Sequence, residues 1–222
     1  MLQLAICHLP TYFGENPDRA AVERHAALLP EEFRARLLER KHIPNMVQSL
    51  GGMLLLRFLL GAEEFERLAP TIAHDKNGRP YLPGGELDFN IAHSDDWAVC
   101  ALERDVPEPR VGVDIQSTPK GRNTDRIAQR FFTQNEYEYY SAHHDRTLAF
   151  LRIWTRKEAV VKWKGAALGP VIRKLDSIRA PETEMIAFDE YMIGDNYMLT
   201  LCHRRSVSGP EQNEFLWMVA PE

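Results

Sequence analysis

The sequence is poor in cysteine and contains no paired-cysteine motif. Three cysteines, Cys7, Cys100 and Cys202, lie far apart in 222 residues, and no Cys-x-x-Cys occurs. An odd count without metal-ligand spacing argues against a disulfide framework and against a zinc finger. We therefore expect three reduced, mostly buried thiols in a cytoplasmic protein.

The chain also lacks a positive charge excess and a long uninterrupted apolar run. Its net charge of −5 argues against general nucleic-acid binding. The longest apolar run, Met53 to Leu60, contains Arg57 and is too short to cross a bilayer. The N-terminus shows no basic stretch followed by an apolar core, so we expect no secretory signal and no membrane partner.

The usual glycine signatures of nucleotide-binding and serine-nucleophile enzymes are missing as well. Neither Gly-x-x-x-x-Gly-Lys nor Gly-x-Gly-x-x-Gly is present, which excludes the common nucleotide cradles. No Gly-x-Ser-x-Gly elbow accompanies His93-Ser94-Asp95, so that tripeptide does not indicate a catalytic triad. A lone histidine at the end of a strand usually has a structural role.

Strand-like and helix-like segments are interleaved without a regular βαβ rhythm, which predicts an α+β fold. Strands are expected at the N-terminus, around Phe89–Ile91 and at Trp97–Leu102, with His93 to Asp96 as the turn between the last two. Pro107 and Pro109 mark the best candidate boundary, which divides the chain into α+β halves at 1–106 and 107–222. The second half is expected to contain three helices and four further strands, at 177–178, 185–188, 197–202 and 215–219.

The segment Gly112-Val113-Asp114-Ile115-Gln116 predicts a buried strand with one polar side. Because side chains alternate along a strand, Asp114 and Gln116 would present oxygens on the same face. A half-buried strand with its polar side in water is the alternative. Gly112 favours a site, because a missing side chain beside an acid leaves room for something to approach.

The segment from Trp154 to Lys162 predicts a helix with an acid and a lysine one turn apart. Glu158 and Lys162 lie at the flank of the apolar side, where an ordinary surface ion pair is the alternative. Lys157 falls within the apolar sector and either extends its charge to the edge or belongs to the same site. Two carboxylates with cations nearby suit a magnesium ion that holds a diphosphate.

Five motifs in this order and spacing resemble the Sfp-type 4′-phosphopantetheinyl transferases. The matching stretches are Lys76-Asn77-Gly78-Arg79-Pro80, Phe89-Asn90-Ile91-Ala92-His93-Ser94, Gly112 to Gln116, Arg130-Phe131-Phe132-Thr133 with Glu136, and Trp154 through Lys162. They cover roughly residues 30 to 170. The resemblance implies two similar α+β halves related by a pseudo-two-fold axis, with the active site in the cleft between them.

The implied reaction moves the phosphopantetheine arm of coenzyme A to a serine of an acyl or peptidyl carrier protein and releases 3′,5′-ADP. The resemblance implies a magnesium site at Asp114, Glu158 and Gln116, although Gln116 stands where many members have a third acid. It implies a catalytic set of Asp114, Glu158 and Lys162, with Glu158 as the candidate base. It further implies that coenzyme A contacts the following basic and polar residues: Arg36, Arg40, Ser49, Arg79, His93 and Lys162.

A basic stretch after the first site strand is the expected docking face for the carrier protein. It comprises Lys120, Arg122, Arg126 and Arg130, next to Phe131 and Phe132. An ordinary solvated helix face is the alternative. Because one chain contains both halves, a monomer is sufficient to form the active site, and we expect a monomer.

Two other functions compete with this enzyme. A non-catalytic coenzyme A or acyl-CoA sensor would keep His93, Arg79 and Lys162 without needing Asp114 and Glu158 together. A magnesium pyrophosphohydrolase would need an acid-rich helix, which the sequence lacks.

Overall fold

The computed structural model describes residues 1–118, 123–205 and 214–217, which fall into two compact units. Unit 1 comprises Met1–His74, Pro80–Pro109 and the C-terminal segment Glu211–Glu222. Unit 2 comprises Asp75–Arg79 and Arg110–Pro210. Both contain helices and antiparallel strands, which confirms the α+β class. The similarity of the two halves stays a prediction.

Unit 1 combines helices with a four-stranded sheet, antiparallel except at one edge, and with a short two-stranded antiparallel sheet. Its first elements are β1 (Leu2–His8), α1 (Leu9–Phe13), α2 (Arg19–Ala26), α3 (Glu31–Leu38), α4 (Ile43–Leu60), α5 (Ala62–Leu68), β2 (Ala73–His74), β3 (Pro80–Tyr81), β4 (Leu87–Ser94) and β5 (Trp97–Arg104). The predicted turn from His93 is too long, because His93 and Ser94 still pair with β5.

Helix α4 is the central helix of unit 1. Pro44 lies in its first turn, where a missing N–H costs nothing, so the proline starts the helix and does not interrupt it. A Cβ on Gly51 or Gly52 would lie 2.5 Å from Leu9 or Ile91, so the helix approaches its neighbours closely there. In length and composition α4 could cross a membrane, which the apolar run alone did not suggest, but the core helix of a folded domain meets the same criterion.

Unit 2 places one long helix on a three-stranded antiparallel sheet. Its elements are β6 (Val111–Ser117), α6 (Thr124–Phe131), α7 (Gln134–Ala142), α8 (Arg146–Lys164), α9 (Leu168–Ile172), α10 (Ala180–Thr183), β7 (Ile186–Ile193) and β8 (Tyr197–Arg204). The strand order is β6-β8-β7, and α8 packs on β6 and β8. The strand predicted at Ser177–Ile178 is wrong, because these residues form a turn.

The last strand, β9 (Glu214–Trp217), belongs to unit 1. It pairs in parallel with β1 and completes a sheet of order β4-β5-β1-β9. The units therefore differ from the continuous halves 1–106 and 107–222. The C-terminal strand belongs to unit 1 because the edge of β1 has backbone groups with which it can pair.

A buried ion pair fixes α8 against α7 and the segment that follows α9. Lys157 is fully buried, and its Nζ lies 2.7 Å from Glu136. The ammonium also donates to the carbonyls of Ile172, at 2.7 Å, and Leu175. Burial lowers the pKa of Lys157, while the charge of Glu136 opposes that shift. Lys157 thus neither extends to the edge nor joins Asp114, because its donors are used inside the core.

Glu136 completes this network from the other side. Its Oε2 accepts from the backbone N–H of Thr133 at 2.8 Å as part of the capping box that starts α7. Its Oε1 accepts from the N–H and the hydroxyl of Ser177, at 2.7 and 2.8 Å. The segment predicted as a strand is therefore held as a turn by a buried carboxylate.

Replacing Lys157 by methionine should destabilise the chain strongly. The variant leaves the buried Glu136 without a counter-charge, so the free energy of unfolding should fall by about 3–5 kcal/mol. Urea denaturation measures this change. The matched control is Lys164→Met, whose 2.8 Å pair with Glu184 is partly exposed and should cost less than about 1 kcal/mol. An equal loss of unfolding free energy in the two variants would contradict a structural role for the buried Lys157–Glu136 pair.

Candidate active site

Asp114 is the most enclosed acid of the site. It lies on β6 and is 3% exposed. Its Oδ1 lies 2.7 Å from the ammonium of Lys162, which also donates to the carbonyl of Val113 at 3.0 Å. The amide nitrogen of Gln116 donates to Oδ2 at 3.2 Å. Three residues of the predicted site are thus brought together as the alternation along the strand required.

Glu158 lies one turn before Lys162 on α8 and feels the charge of Asp114. Burial is the main cause that raises its pKa from 4.5 to about 7, and repulsion from Asp114 adds to the shift. The ammonium of Lys162 opposes it. One lysine therefore does not neutralise both acids, which is the electrostatic condition that favours a bound cation.

Gly112 allows α8 to reach β6. A Cβ at this position would lie 2.2 Å from the carbonyl oxygen of Ala159 and 2.6 Å from the backbone nitrogen of Trp163. The room that Gly112 leaves beside the acid is therefore occupied by the helix backbone. The same close approach brings Lys162 within bonding distance of Asp114.

A hydroxyl pair fixes the position of α8 along the sheet. The hydroxyl oxygens of Thr155 and Thr200 lie 2.7 Å apart, and Thr155 also donates to the carbonyl of Leu151 at 2.9 Å. Both residues are fully buried, and Thr200 stands opposite Asp114 in the β6–β8 pairing. This contact therefore fixes the position of α8 along β6, and with it the position of Glu158 and Lys162 relative to Asp114.

Three side chains hold the C-terminal end of α8. Arg79 Nε donates to the carbonyl of Lys162 at 3.0 Å, Asn77 Nδ2 to that of Gly165 at 2.7 Å, and Arg110 Nε to that of Trp163. They bond carbonyls at the end of the helix, and the carbonyl of Lys162 also accepts from the N–H of Gly165 at 3.0 Å. The sequence singled out neither Asn77 nor Arg110 for this role: Asn77 appeared only as a member of the Lys76–Pro80 motif, and Arg110 gives no local signal.

The other residues predicted to contact coenzyme A lie in unit 1. Arg40 donates to the hydroxyl of Ser49, so two of them are in contact. Arg36 is exposed on α3, with its guanidinium 5.5 Å from the centre of the Phe33 ring. His93 is exposed on β4. Their contacts with coenzyme A stay predictions.

The oxygen donors around Asp114 fit a magnesium ion that is shared with a phosphate ligand. Within residues 1–118, 123–205 and 214–217, no group of three or more His, Cys, Asp or Glu side chains could hold a metal. Mg²⁺, however, is commonly bound through one or two carboxylates together with waters and substrate phosphates. Asp114 and Glu158 would supply the carboxylates. Gln116 would first have to turn its amide to present oxygen.

The family model of the 4′-phosphopantetheinyl transferase superfamily matches residues 110–214. This stretch contains β6 and α8, the two elements that carry the acids and the lysine. Together with the relatives described next, the match shows that the chain belongs to this superfamily.

Three relatives illustrate the similarity. The 4′-phosphopantetheinyl transferase AcpT of Escherichia coli O157:H7 is 35% identical over 150 residues, which cover 66% of this chain and 71% of the relative. A 4′-phosphopantetheinyl transferase of Bacillus subtilis is 30% identical over 150 residues, covering 66% and 64%. Another Bacillus subtilis relative, 4′-phosphopantetheinyl transferase ffp, is 25% identical over 226 residues, covering 95% and 96%.

The matched regions differ in extent between relatives. For three of them the alignment with this chain spans 61%, 64% and 62% of the relative's length.

Adding a methyl group at Gly112 should separate α8 from β6. In Gly112→Ala the new Cβ meets backbone atoms, which cannot rotate away, so we expect a loss of about 1–3 kcal/mol in the free energy of unfolding. Urea denaturation gives the value. Gly169→Ala is the matched control, because a Cβ there has no atom within 4 Å. Similar unfolding free energies for Gly112→Ala and Gly169→Ala would contradict the close approach of α8 to β6.

Proposed function

We propose that this protein transfers the 4′-phosphopantetheine arm of coenzyme A to a serine of an acyl or peptidyl carrier protein, in a reaction that needs Mg²⁺. The single observation that carries the proposal is the arrangement in which Asp114 and Glu158 lie beside Lys162. Superfamily membership and the names of the relatives support the same reaction. We further propose that the protein acts as a cytoplasmic monomer.

The chain's own residues have separate tasks in this reaction. Lys162 places a positive charge beside Asp114, where it can stabilise charge that develops on the diphosphate oxygens of coenzyme A. Asp114 and Glu158 would hold the metal ion, which when bound neutralises charge on the diphosphate. Much of the rate enhancement then comes from positioning and charge neutralisation.

Glu158 is the group best suited to accept the proton of the incoming serine. The serine oxygen attacks the phosphorus next to the pantetheine arm, the bond to the bridging oxygen breaks, and 3′,5′-ADP leaves with the bonding electrons. Without a metal the pKa of Glu158 is about 7, and a bound ion would keep the carboxylate deprotonated and able to accept a proton. The carboxylate acts either directly or through a water molecule.

Mass spectrometry of a carrier protein tests the proposed function directly. The chain is incubated with coenzyme A, Mg²⁺ and an apo carrier protein, and the carrier should gain about 340 Da, the mass of the transferred arm. Release of free phosphopantetheine would indicate a hydrolase. An unchanged carrier and unchanged coenzyme A would indicate a binding module, and either result overturns the proposal.

Removing the charge of Glu158 should affect turnover more than binding. Glu158→Gln keeps the size of the side chain but cannot accept a proton, so turnover should fall at least about a hundredfold while coenzyme A still binds. Steady-state kinetics and calorimetry measure the two effects. Glu182→Gln, an exposed acid of α10, is the control. Near-normal turnover in Glu158→Gln would remove Glu158 from this role.

Magnesium affinity should increase with pH because the ion competes with a proton on Glu158. The raised pKa means that the folded chain holds a proton between about pH 4.5 and 7 that the unfolded chain has lost, so metal-free stability should fall as pH rises through this window. Mg²⁺ binding should be roughly tenfold tighter at about pH 8 than at about pH 6. Calorimetry at both values tests this. The dependence should disappear in Glu158→Gln, and a flat profile in the original chain would contradict it.

We also propose that α6 forms part of the docking face for the carrier protein. Arg126 and Arg130 are exposed and one turn apart, so they share a side of the helix. Two guanidinium groups lie near the Phe131 ring, that of Arg130 at 5.2 Å and that of Arg173 at 5.5 Å from its centre. Arg173 is an addition that sequence spacing could not reveal. Lys120 and Arg122, predicted for the same face, lie outside the described residues.

Charge reversal tests this face. Arg126→Glu with Arg130→Glu should raise the KM for an acidic carrier protein by about tenfold or more and leave coenzyme A affinity unchanged, because the repulsion acts on the protein partner alone. Arg24→Glu with Arg67→Glu makes the same charge change on exposed residues of unit 1. The same KM in both double variants would place docking elsewhere.

A further inference from the structure

Arg79 is a nearly buried arginine that bonds the main chains of both site elements. It is 8% exposed, in the turn between β2 and β3. Its Nε donates to the carbonyl of Lys162 and its Nη2 to the carbonyl of Val111, each at 3.0 Å. The first carbonyl belongs to α8 and the second to β6. One planar group therefore joins the helix and the strand.

The turn itself holds Arg79 in place. Asp75 Oδ1 accepts from the backbone N–H groups of Asn77 and Arg79, at 2.8 and 2.9 Å. Asp75 in turn donates its N–H to the carbonyl of Arg79 at 3.0 Å. Because these bonds close the loop on itself, the guanidinium is presented from a defined backbone and not from a mobile loop.

The two carbonyls that accept from Arg79 belong to residues close to Asp114 in the site. Lys162 is the residue whose ammonium bonds Asp114, and Val111 is the first residue of the strand that carries Asp114. Gly112 allows the helix to approach, but a missing side chain cannot hold it there. Arg79 supplies the attraction at the same level of the strand.

We propose that Arg79 is a positioning residue for the transfer reaction, acting through Lys162 by fixing the α8 backbone to β6. This inference rests on the proposed function. It differs from the role that the family resemblance implies, a direct contact with coenzyme A. The Nε–H and one Nη2–H of Arg79 are directed at main-chain oxygens, so these two donors bond the backbone and not a phosphate ligand.

A double-mutant cycle on kcat/KM separates the two roles. Arg79→Lys keeps the charge but lacks the planar group that reaches two carbonyls. It should lower kcat/KM by about tenfold or more in the original chain. In the Lys162→Met background the same change should cost less than about threefold, because the residue that Arg79 positions no longer carries its charge. Equal factors in both backgrounds would mean an independent contact with substrate and overturn the proposal.

Amide hydrogen exchange gives a readout that does not depend on turnover. The N–H groups of Gly165 and Ala166 bond to the carbonyls of Lys162 and Val161 at the end of α8. Their exchange should become about tenfold faster in Arg79→Lys than in the original chain. Lys76→Ala, which removes an exposed cation from the same turn, is the control and should leave exchange unchanged.

Hydrogen exchange also distinguishes a failure of the proposed transfer activity from a failure of the positioning role of Arg79. If the original chain transfers no phosphopantetheine, the proposed function fails, yet exchange at the end of α8 still reports on Arg79. If Arg79→Lys does not fold, Arg79→Gln takes its place, since it keeps one donor at a similar reach. Unchanged exchange in the folded variant would overturn the positioning role.

Discussion

The site depends on one close approach, that of the α8 backbone to β6 at Gly112. Without a Cβ there, the carbonyl of Ala159 and the nitrogen of Trp163 come within distances that a side chain would forbid. The approach makes the Lys162–Asp114 bond of 2.7 Å possible and places Glu158 where it feels the charge of Asp114. A strand and a helix that are distant in sequence thereby form one electrostatic unit.

Other contacts keep this approach from relaxing. The Thr155–Thr200 hydroxyl pair fixes the level of the helix, and the Lys157–Glu136 pair anchors its opposite side in the core. These groups are fully buried and mutually satisfied, which makes them rigid but costly to disrupt. The proposed reaction needs this rigidity, because Asp114 and Glu158 repel each other and must be held close together. Part of the folding free energy is thus spent on keeping Glu158 in a position that raises its pKa.

Local patterns in the sequence predicted much of this arrangement. Alternation along β6 placed Asp114 and Gln116 on one side, and helical spacing placed Glu158 beside Lys162, because both periodicities follow from backbone geometry alone. Superfamily membership confirmed the resemblance that five ordered motifs had suggested.

What the sequence could not predict depends on contacts between distant residues. Gly112 suggested free space, because nothing local shows that a helix backbone fills it. Lys157 was predicted either to extend to the edge or to join the site, since its partner Glu136 belongs to another helix and gives no local signal. The same carboxylate holds Ser177 in a turn where a strand was predicted. The strand β9 joined unit 1 because pairing with β1 is a non-local choice.

A crystal structure of the chain with coenzyme A and Mn²⁺, in which anomalous scattering locates the metal, tests directly whether Asp114 and Glu158 share one ion. We expect one peak bonded to carboxylate oxygens of both Asp114 and Glu158, at about 2.0–2.3 Å from each. A peak bonded to one of these acids alone, or a metal elsewhere while Asp114 and Glu158 remain apart, would contradict it.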